Sequence, residues 1–324
     1  MPTILTTKIA CQKSENENLK FLAVFVILTL MAAWGCSPTA SNPIVIFCSP
    51  DSPRMQQAIA ALREKLPEAP LEVVCVPEFG DELKAGLRHI QQLKPRLLVV
   101  LGTPALMAVA PVEKHTPVIF ALVANPYFTG AAYGPERPEE HQENLTGIAS
   151  PPPLEAALKE GAGLLGKSSW GLLYDPTDGV AAQLAAEFTS KAPEFGITPL
   201  TETSTRAATD PQAMKRLLGR GARVIYLPPA ASTARFAPLV LDRGRRRQVM
   251  VVSGYPEGPH QGALLWVAMD YRRLGEEAAV LARRVLRGEA PKKIPIAQSS
   301  PFRVEVDEKL VRHWSGYPGK NSGQ

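Results

Sequence analysis

Residues 97–109, LLVVLGTPALMAV, carry the pattern that decides the fold: an aliphatic run, a glycine, and a helix start. Five consecutive aliphatic residues predict a strand that is buried on both faces, as strands of parallel sheets are. Thr103 followed by Pro104 is typical of a helix start, because a hydroxyl residue caps a helix and proline fits its first turn. The stretch therefore predicts one strand-then-helix unit of an α/β protein.

The same unit recurs along the chain in two series. The apolar runs of the first series are residues 44–47, 71–76, 97–101 and 118–123, and those of the second are 170–174, 197–200, 224–227 and 249–252. Helical segments separate the runs, and in the second series they are residues 180–191, 211–218 and 232–243. We expect two Rossmann-like lobes with parallel sheets, joined by the prolines of residues 150–153.

The remaining sequence adds a strand at 263–268, a helix at 271–287 closed by Gly288, and a strand at 302–306. We expect the chain to cross between the lobes near Gly147, within 253–262 and near Ala290, which makes a multi-strand hinge. Lobe 1 is then 44–147 plus about 256–288, and lobe 2 is 148–255 plus about 289–317. Because ligands of open α/β sheets bind outside the carboxyl ends of the strands, two facing lobes predict one shared cleft.

The composition fits a globular chain. It has 324 residues, 45% of them hydrophobic, with 36 Lys plus Arg against 31 Asp plus Glu and a net charge of +5. That charge is too dilute to indicate nucleic acid, and we expect no nucleic-acid partner. The arginines at 243 and 245–247 fit a helix end, where cations suit the dipole, with contact to a membrane surface or a partner as the alternative.

The amino terminus has the order of an export signal. Lys8, Lys13 and Lys20 precede the uncharged apolar residues 21–33, which are too few to span a bilayer as a helix. Gly35-Cys36 at the end of this stretch resembles the lipobox of bacterial lipoproteins, in which the cysteine is acylated. We expect a signal peptide at 1–35, lipidation at Cys36 and a tether at 36–43; an uncleaved anchor is the alternative. Both place the folded part in the periplasm or on the outer cell surface, tethered to a membrane.

Cys48 and Cys75 each fall near the end of a predicted strand. In an oxidising compartment they could pair. Two ordinary buried thiols are the favoured interpretation, because geometry rather than number decides a disulfide.

The sequence contains few motifs that would indicate catalysis, cofactor binding or metal binding. The string GAGLLG at 161–166 follows a helix and precedes a strand, which reverses the order of a dinucleotide site and indicates a helix end. The sequence has no phosphate-binding P-loop motif and no nucleophile elbow. The 5 histidines are scattered without metal-ligand spacing. We therefore expect no enzyme activity, no cofactor and no metal.

The ends of the predicted strands carry residue types suited to a small ligand. Thr103 offers a hydroxyl at a helix start, Asn125 a neutral amide, and Asp178 and Glu257 negative charges. Phe79, Tyr127, Phe128, Tyr133 and Tyr255 add aromatic surface, although each of these residues fits a cap, a turn or packing equally well. The candidate ligand-binding residues are Ser49, Phe79, Gly102, Thr103, Asn125, Asp178, Ala230, Tyr255 and Glu257.

Six ordered strings resemble a known family. They are LLVVLGTPALMAV (97–109), TPVIFALVANP (116–126), ENLTGIAS (143–150), WGLLYDPTD (170–178), VIYLPPAASTA (224–234) and the long stretch 262–296. The family is the bacterial extracytoplasmic solute-binding lipoproteins of ABC importers, of the tryptophan/tyrosine type. The resemblance implies a type I periplasmic-binding fold, a small-molecule ligand, and an ABC permease with its ATPase as partners.

The departures from the family bear on the ligand. The family usually has Asp at Asn125 and Thr-Asp-Asn where this chain reads Pro229-Ala230-Ala231. A buried ammonium group without a carboxylate costs several kcal/mol. We therefore expect a neutral, flat or partly aromatic ligand rather than an ordinary amino acid. The alternative function is a ligand-sensing lipoprotein that presents its lobes to a membrane receptor or kinase.

Overall fold

The computed structural model describes residues 42–49, 52–67, 70–77, 80–255 and 261–314. The expected signal peptide, Cys36, Phe79 and Glu257 lie outside these ranges. From Pro43 onward the chain forms one compact unit. Within the described ranges, no helix combines the length and apolar character needed to cross a membrane.

Strands and helices alternate along this unit as the sequence predicts. The elements of the first part are β1 (Ile44–Cys48), α1 (Pro53–Lys65), β2 (Leu71–Cys75), α2 (Asp81–Leu93), β3 (Leu97–Leu101), α3 (Thr103–Val109), β4 (Val118–Val123) and β5 (Leu145–Ala149). The second part has α4 (Leu154–Leu165), β6 (Ser169–Tyr174), α5 (Gly179–Lys191), β7 (Thr198–Thr203), α6 (Asp210–Gly219), β8 (Val224–Leu227), α7 (Thr233–Arg245), β9 (Met250–Ser253) and β10 (Leu265–Met269). The last elements are α8 (Tyr271–Leu286), β11 (Ala297–Gln298), β12 (Phe302–Val306) and α9 (Glu308–Trp314).

The strands form two six-stranded sheets, one per lobe. Lobe 1 has the order β11-β5-β4-β3-β1-β2, and lobe 2 has the order β12-β10-β9-β8-β6-β7. All neighbours pair in parallel except β12, which runs antiparallel to β10. The predicted α/β fold of two lobes with parallel sheets is confirmed.

The lobe boundaries differ from those expected. Residues 265–269 pair with β9 and β12 and so belong to lobe 2. Helix α8 then packs on α1 of lobe 1, where a Cβ on Gly275 would lie 2.4 Å from the carbonyl oxygen of Ala58. The chain stays in lobe 1 through β11, since Ala297 pairs with Ile148. The expected crossings within 253–262 and near Ala290 are therefore wrong. The first is wrong because strand pairing, which local sequence does not show, places residues 265–269 in lobe 2. The second is wrong because a two-residue strand such as β11 has no recognisable sequence pattern.

The observed crossings are residues 150–153, Asp270 and residues 299–301, and they hydrogen-bond to one another. The N–H of Asp270 donates to the carbonyl of Pro301 at 2.7 Å, and Ser300 Oγ donates to the carbonyl of Pro151 at 2.7 Å. Each crossing begins at the carboxyl end of a strand. The carboxyl edges of both sheets therefore lie on the hinge side, as a shared cleft requires.

Four buried clusters fill the lobes, one on each face of each sheet. The GAGLLG string borders the lobe-2 cluster that contains Trp170: Gly161 is in α4, and a Cβ there would lie 2.2 Å from the ring of this buried tryptophan. Gly166 ends the helix with φ +71°. The string is thus a close-packing point and a helix end, as the sequence indicates.

Candidate ligand-binding cleft

On lobe 1, Ser49 and Gly102 build a backbone frame at the ends of β1 and β3. Ser49 is fully buried, its Oγ donates to the carbonyl of Pro77 at 3.0 Å, and its N–H donates to the carbonyl of Leu101 at 3.2 Å. Gly102 has φ +97°, and a Cβ there would lie 2.4 Å from the Ser49 carbonyl oxygen. Only glycine fits this close approach. Both residues hold the strand ends together and so set the position of Thr103.

Thr103 is the first residue of α3 and is half-buried. Gly102, not Thr103, is the cap residue, so the expected role of Thr103 as a helix cap is wrong. Its hydroxyl makes no hydrogen bond to any described residue, and Pro104 next to it has no N–H. Thr103 therefore keeps a donor and an acceptor at the carboxyl edge of the sheet.

Strand β4 ends in an irregular turn that the sequence does not signal. Its pairing with β5 shifts between Phe120 and Val123, and Leu122 has φ +58°, which is strained for a leucine. Such bulges redirect the chain next to functional sites. Asn125 follows at once, and its Oδ1 accepts from the N–H of Tyr127 at 3.1 Å, which leaves its amide NH₂ unused.

Cys48 and Cys75 form a disulfide, so the favoured interpretation of two thiols is wrong. The residues are register partners on β1 and β2, with Cα atoms 4.6 Å apart. This separation is in the usual range for a disulfide. The bond ties the carboxyl ends of two strands together directly before Ser49 and Val76.

On lobe 2, Asp178 has three backbone partners. Its Oδ1 accepts from the N–H groups of Val180 and Ala181 at 3.0 and 3.2 Å, which caps α5. Its Oδ2 accepts from the N–H of Ser232 at 2.8 Å, which ties the β6 and β8 loops together. The carboxylate expected to receive a cationic ligand group is thus already satisfied as a helix cap.

A charged cluster that the sequence analysis missed lies at the ends of β6 and β7. Arg235 donates from Nη1 to Asp175 at 2.8 Å and from Nε to Asp210 at 3.1 Å, and its Nη2 donates to the carbonyl of Ser204. Both carboxylates are buried, and Asp210 Oδ1 has no partner among the described residues. The nearby aspartate motif YDPTD is readable in the sequence, but the partnership with Arg235, 60 positions away, is not.

Hydrogen bonds to Thr177 and Arg235 keep Asp175 ionised. The hydroxyl and the N–H of Thr177 donate to its Oδ1 at 2.7 and 2.9 Å. The Thr177 contacts first, and then the Arg235 guanidinium, lower the pKa of Asp175 to about 2. The pKa of Arg235 is raised by the same two carboxylates. Asp175 and Arg235 therefore both stay charged at neutral pH.

The other residues that the sequence suggests for the ligand site are either packed within a lobe or exposed to solvent. Ala230 is buried, and Tyr255 packs against the lobe-2 cluster that contains Phe236, while its carbonyl accepts from Trp266 Nε1 at 2.8 Å. Tyr127 packs inside lobe 1. Phe128 and Tyr133 are 80% and 74% exposed. Within the described ranges, no group of three or more His, Cys, Asp or Glu side chains is placed to hold a metal ion.

Comparison with known proteins identifies the family. A family described as ABC transporter substrate binding protein matches residues 80–313, which is more than half of the chain. The chain belongs to this family. Its members are solute-binding proteins rather than enzymes, they act outside the cytoplasm, and they work with ABC transporters. Among curated proteins, none matches the sequence.

Solved structures of other proteins share the fold. CD0873, a substrate binding protein from Clostridium difficile in a ligand-free, open form, has 18% identity and a TM-score of 0.69, covering 87% of this chain and 97% of its own. A Streptococcus pneumoniae ABC domain in complex with L-Trp has 18% identity and a TM-score of 0.66, covering 84% and 94%. A Vibrio cholerae conserved domain protein has 18% identity and a TM-score of 0.68, covering 85% and 95%. At such identity the likeness establishes the fold and not the ligand.

Proposed function

We propose that this substrate-binding protein captures a small organic molecule between its two lobes and delivers it to an ABC permease and ATPase from a lipid anchor at Cys36. The observation that carries the proposal is the polar inventory of lobe 1. Thr103 and Asn125 follow neighbouring strands of one sheet, and each keeps hydrogen-bonding capacity that no described residue uses. Unused polar groups at a carboxyl edge are what a ligand site requires.

The proposed ligand is neutral and flat. On lobe 2 the negative charge of Asp178 is matched by three N–H groups, and Asp175 is matched by Arg235. Asn125 offers an amide rather than a charge. In the described loops that carry Asp175 and Asp178, a ligand ammonium group would therefore be desolvated without an unpaired carboxylate, at a cost of several kcal/mol. The L-Trp of the Streptococcus pneumoniae protein shares the flat ring of the proposed ligand but not its lack of charge.

Closure follows from differential affinity. A molecule that contacts both lobes binds the closed arrangement more tightly than the open one and shifts the population accordingly. The hinge of three hydrogen-bonded crossings permits this movement without breaking either sheet. We propose the lobe-1 residues Ser49, Gly102, Thr103 and Asn125 and the lobe-2 residues Ala230 and Tyr255 as the walls of the cleft; the other two candidates from the sequence, Phe79 and Glu257, lie outside the described ranges.

The test is mass spectrometry of small molecules released when gently purified protein is denatured. The matched control is Thr103→Trp, which fills the proposed site from a half-buried position and leaves both cores untouched. We expect a small molecule from the wild-type protein that is absent from the variant. Equal release from both proteins would contradict the site.

The anchor is tested separately. Cells that express the full chain are labelled with a fatty-acid analogue, and Cys36→Ser is the control. We expect label on the wild-type protein only. Label that persists in Cys36→Ser would refute acylation at this position.

A further inference from the structure

The end of lobe 1 farthest from the cleft is strongly basic. Helices α1 and α8 both end there, and Arg96 directly precedes β3 at the same amino-terminal edge of the sheet. A pocket of ≈ 590 Å³ lies between them and is lined by Lys65, Arg96, Arg283 and Arg287 together with Glu64, Leu66, Pro67 and Leu286. We call these four cations the lobe-1 pole.

The positive charge of the lobe-1 pole is largely unmatched. Glu64 is paired with Arg272, which is not part of the pocket, at 2.5 Å, and this pairing lowers the pKa of Glu64. Arg283 donates to the carbonyl of Lys65. The side chains of Lys65, Arg96 and Arg287 have no ion-pair partner in the part of the chain that the structure describes, and Glu68 lies outside it.

Helix ends explain only part of this charge. Lys65, Arg283 and Arg287 lie at the carboxyl ends of α1 and α8, where cations offset the helix dipole. Arg96 belongs to neither helix. Three side chains without a carboxylate partner around one open pocket exceed what two helix ends need, and they form a surface suited to phosphate groups.

The chain enters the fold beside the lobe-1 pole. The N–H of Arg96 donates to the carbonyl of Pro43 at 3.1 Å, so the first residue of the compact unit is fixed next to a residue of the pocket. Seven peptide steps separate Cys36 from Pro43, and they span at most about 25 Å when extended. With the proposed lipid on Cys36, Pro43 would be at most about 25 Å of extended chain from the lipid-bearing residue.

We propose that the lobe-1 pole rests on anionic phospholipid headgroups and so orients the tethered protein on the membrane while it is not docked on the permease. The inference rests on the proposed lipid anchor for its location and on the pole's own charges for its contact. Each cation near an anionic leaflet adds about a fivefold factor to the partition coefficient, and the effect is screened by salt.

Lobe 2 provides an internal control, because its corresponding end is equally rich in arginine but more fully paired. Arg246 and Arg245 bind Asp242 at 2.8 and 3.4 Å, and Arg243 donates to Gln248. Arg247 contacts His313. The proposed tether joins the fold at Pro43 in lobe 1 rather than at this end.

The experiment is co-sedimentation of residues 43–324, which hold both sheets and all four buried clusters, with vesicles at low salt. Vesicles of phosphatidylcholine alone are compared with vesicles containing phosphatidylglycerol. The lobe-1 triple variant is Lys65→Gln, Arg96→Gln and Arg287→Gln, and the lobe-2 triple variant is Arg243→Gln, Arg246→Gln and Arg247→Gln. A further variant, Arg96→Lys with Arg287→Lys, keeps the charge and changes the side chains.

We expect the wild-type unit to bind anionic vesicles only, with a partition coefficient about a hundredfold lower for the lobe-1 triple variant. The lobe-2 triple and the lysine variant should stay within about threefold of wild type. Absence of wild-type binding, equal losses in the two triple variants, or loss in the lysine variant would each overturn the proposal. Because these vesicles require no acyl chain, failure here is distinct from failure of the labelling at Cys36.

Discussion

The two lobes have the same strand order in their sheets, but different interactions hold together the loops at the carboxyl ends of their strands. Lobe 1 uses the Cys48–Cys75 disulfide and the tight backbone contact of Gly102 with Ser49. Lobe 2 uses charges, with Asp178 across two loops and Arg235 between Asp175 and Asp210. Since lobe 1 needs few polar side chains to fix its loops, Thr103 and Asn125 keep theirs for a ligand. We infer that lobe 1 makes the specific hydrogen bonds to the ligand and that lobe 2 forms a rigid wall of the cleft.

Removing the disulfide should have the largest effect on stability. It closes a loop of sequence separation 27, for which chain entropy predicts about 3.5 kcal/mol. We expect Cys48→Ala with Cys75→Ala to lower the free energy of unfolding by about 3.5 kcal/mol in guanidinium titrations. A reductant should destabilise the wild-type protein and leave the double variant unchanged. A loss below about 1 kcal/mol would show that noncovalent contacts hold this edge of lobe 1.

Breaking the charged cluster of lobe 2 should cost slightly less. Arg235→Ala leaves two buried carboxylates without their cation, and the expected loss in unfolding free energy is about 3 kcal/mol. Arg246→Ala is the matched control, because its side chain is 67% exposed and its ion pair is worth less than about 0.5 kcal/mol. Equal effects of the two substitutions would mean that charges do not hold the wall of lobe 2.

Acid should destabilise the protein through Asp175 of lobe 2, and this effect should be smaller than the two before it. The pKa of Asp175 is lowered from 3.8 to about 2 in the folded protein, so its stabilising contribution is complete above about pH 4. It is lost as the pH falls from about 4 to 2, and it amounts to about 2 kcal/mol. We expect the stability difference between wild type and Asp175→Asn to shrink across this window, measured by denaturation at each pH. A constant difference would place the effect outside the ionisation of Asp175.

The strands and helices of both lobes could be predicted from the sequence because aliphatic runs and helix starts are local signals. The run at 97–101 and the Ser52 cap, which accepts from the N–H of Met55, are where the pattern places them. The disulfide was not readable, because it depends on the register that brings Cys48 opposite Cys75. The crossing at Asp270 was missed for a similar reason, since partner strands rather than local sequence assign β10 to lobe 2.

The candidate site was predictable only by position. Strand ends were named correctly at Thr103 and Asn125, yet no local pattern reports whether a side chain is free or used. Asp178 looked like a ligand partner, and the fold uses it as a cap with three N–H donors. Arg235 was overlooked because its two carboxylates come from loops that are distant in sequence.

The most direct test of the central claim is calorimetric titration of the released small molecule into wild type, Thr103→Ala and Asp178→Asn. Asparagine keeps an oxygen that caps a helix and removes only the charge. We predict that Thr103→Ala weakens binding about fivefold to tenfold, as loss of one hydrogen bond does, and that Asp178→Asn changes the affinity less than about twofold. The opposite result would be that Asp178→Asn weakens binding tenfold or more and Thr103→Ala leaves the affinity unchanged. It would contradict this proposal and show that lobe 2 binds a cationic group of the ligand.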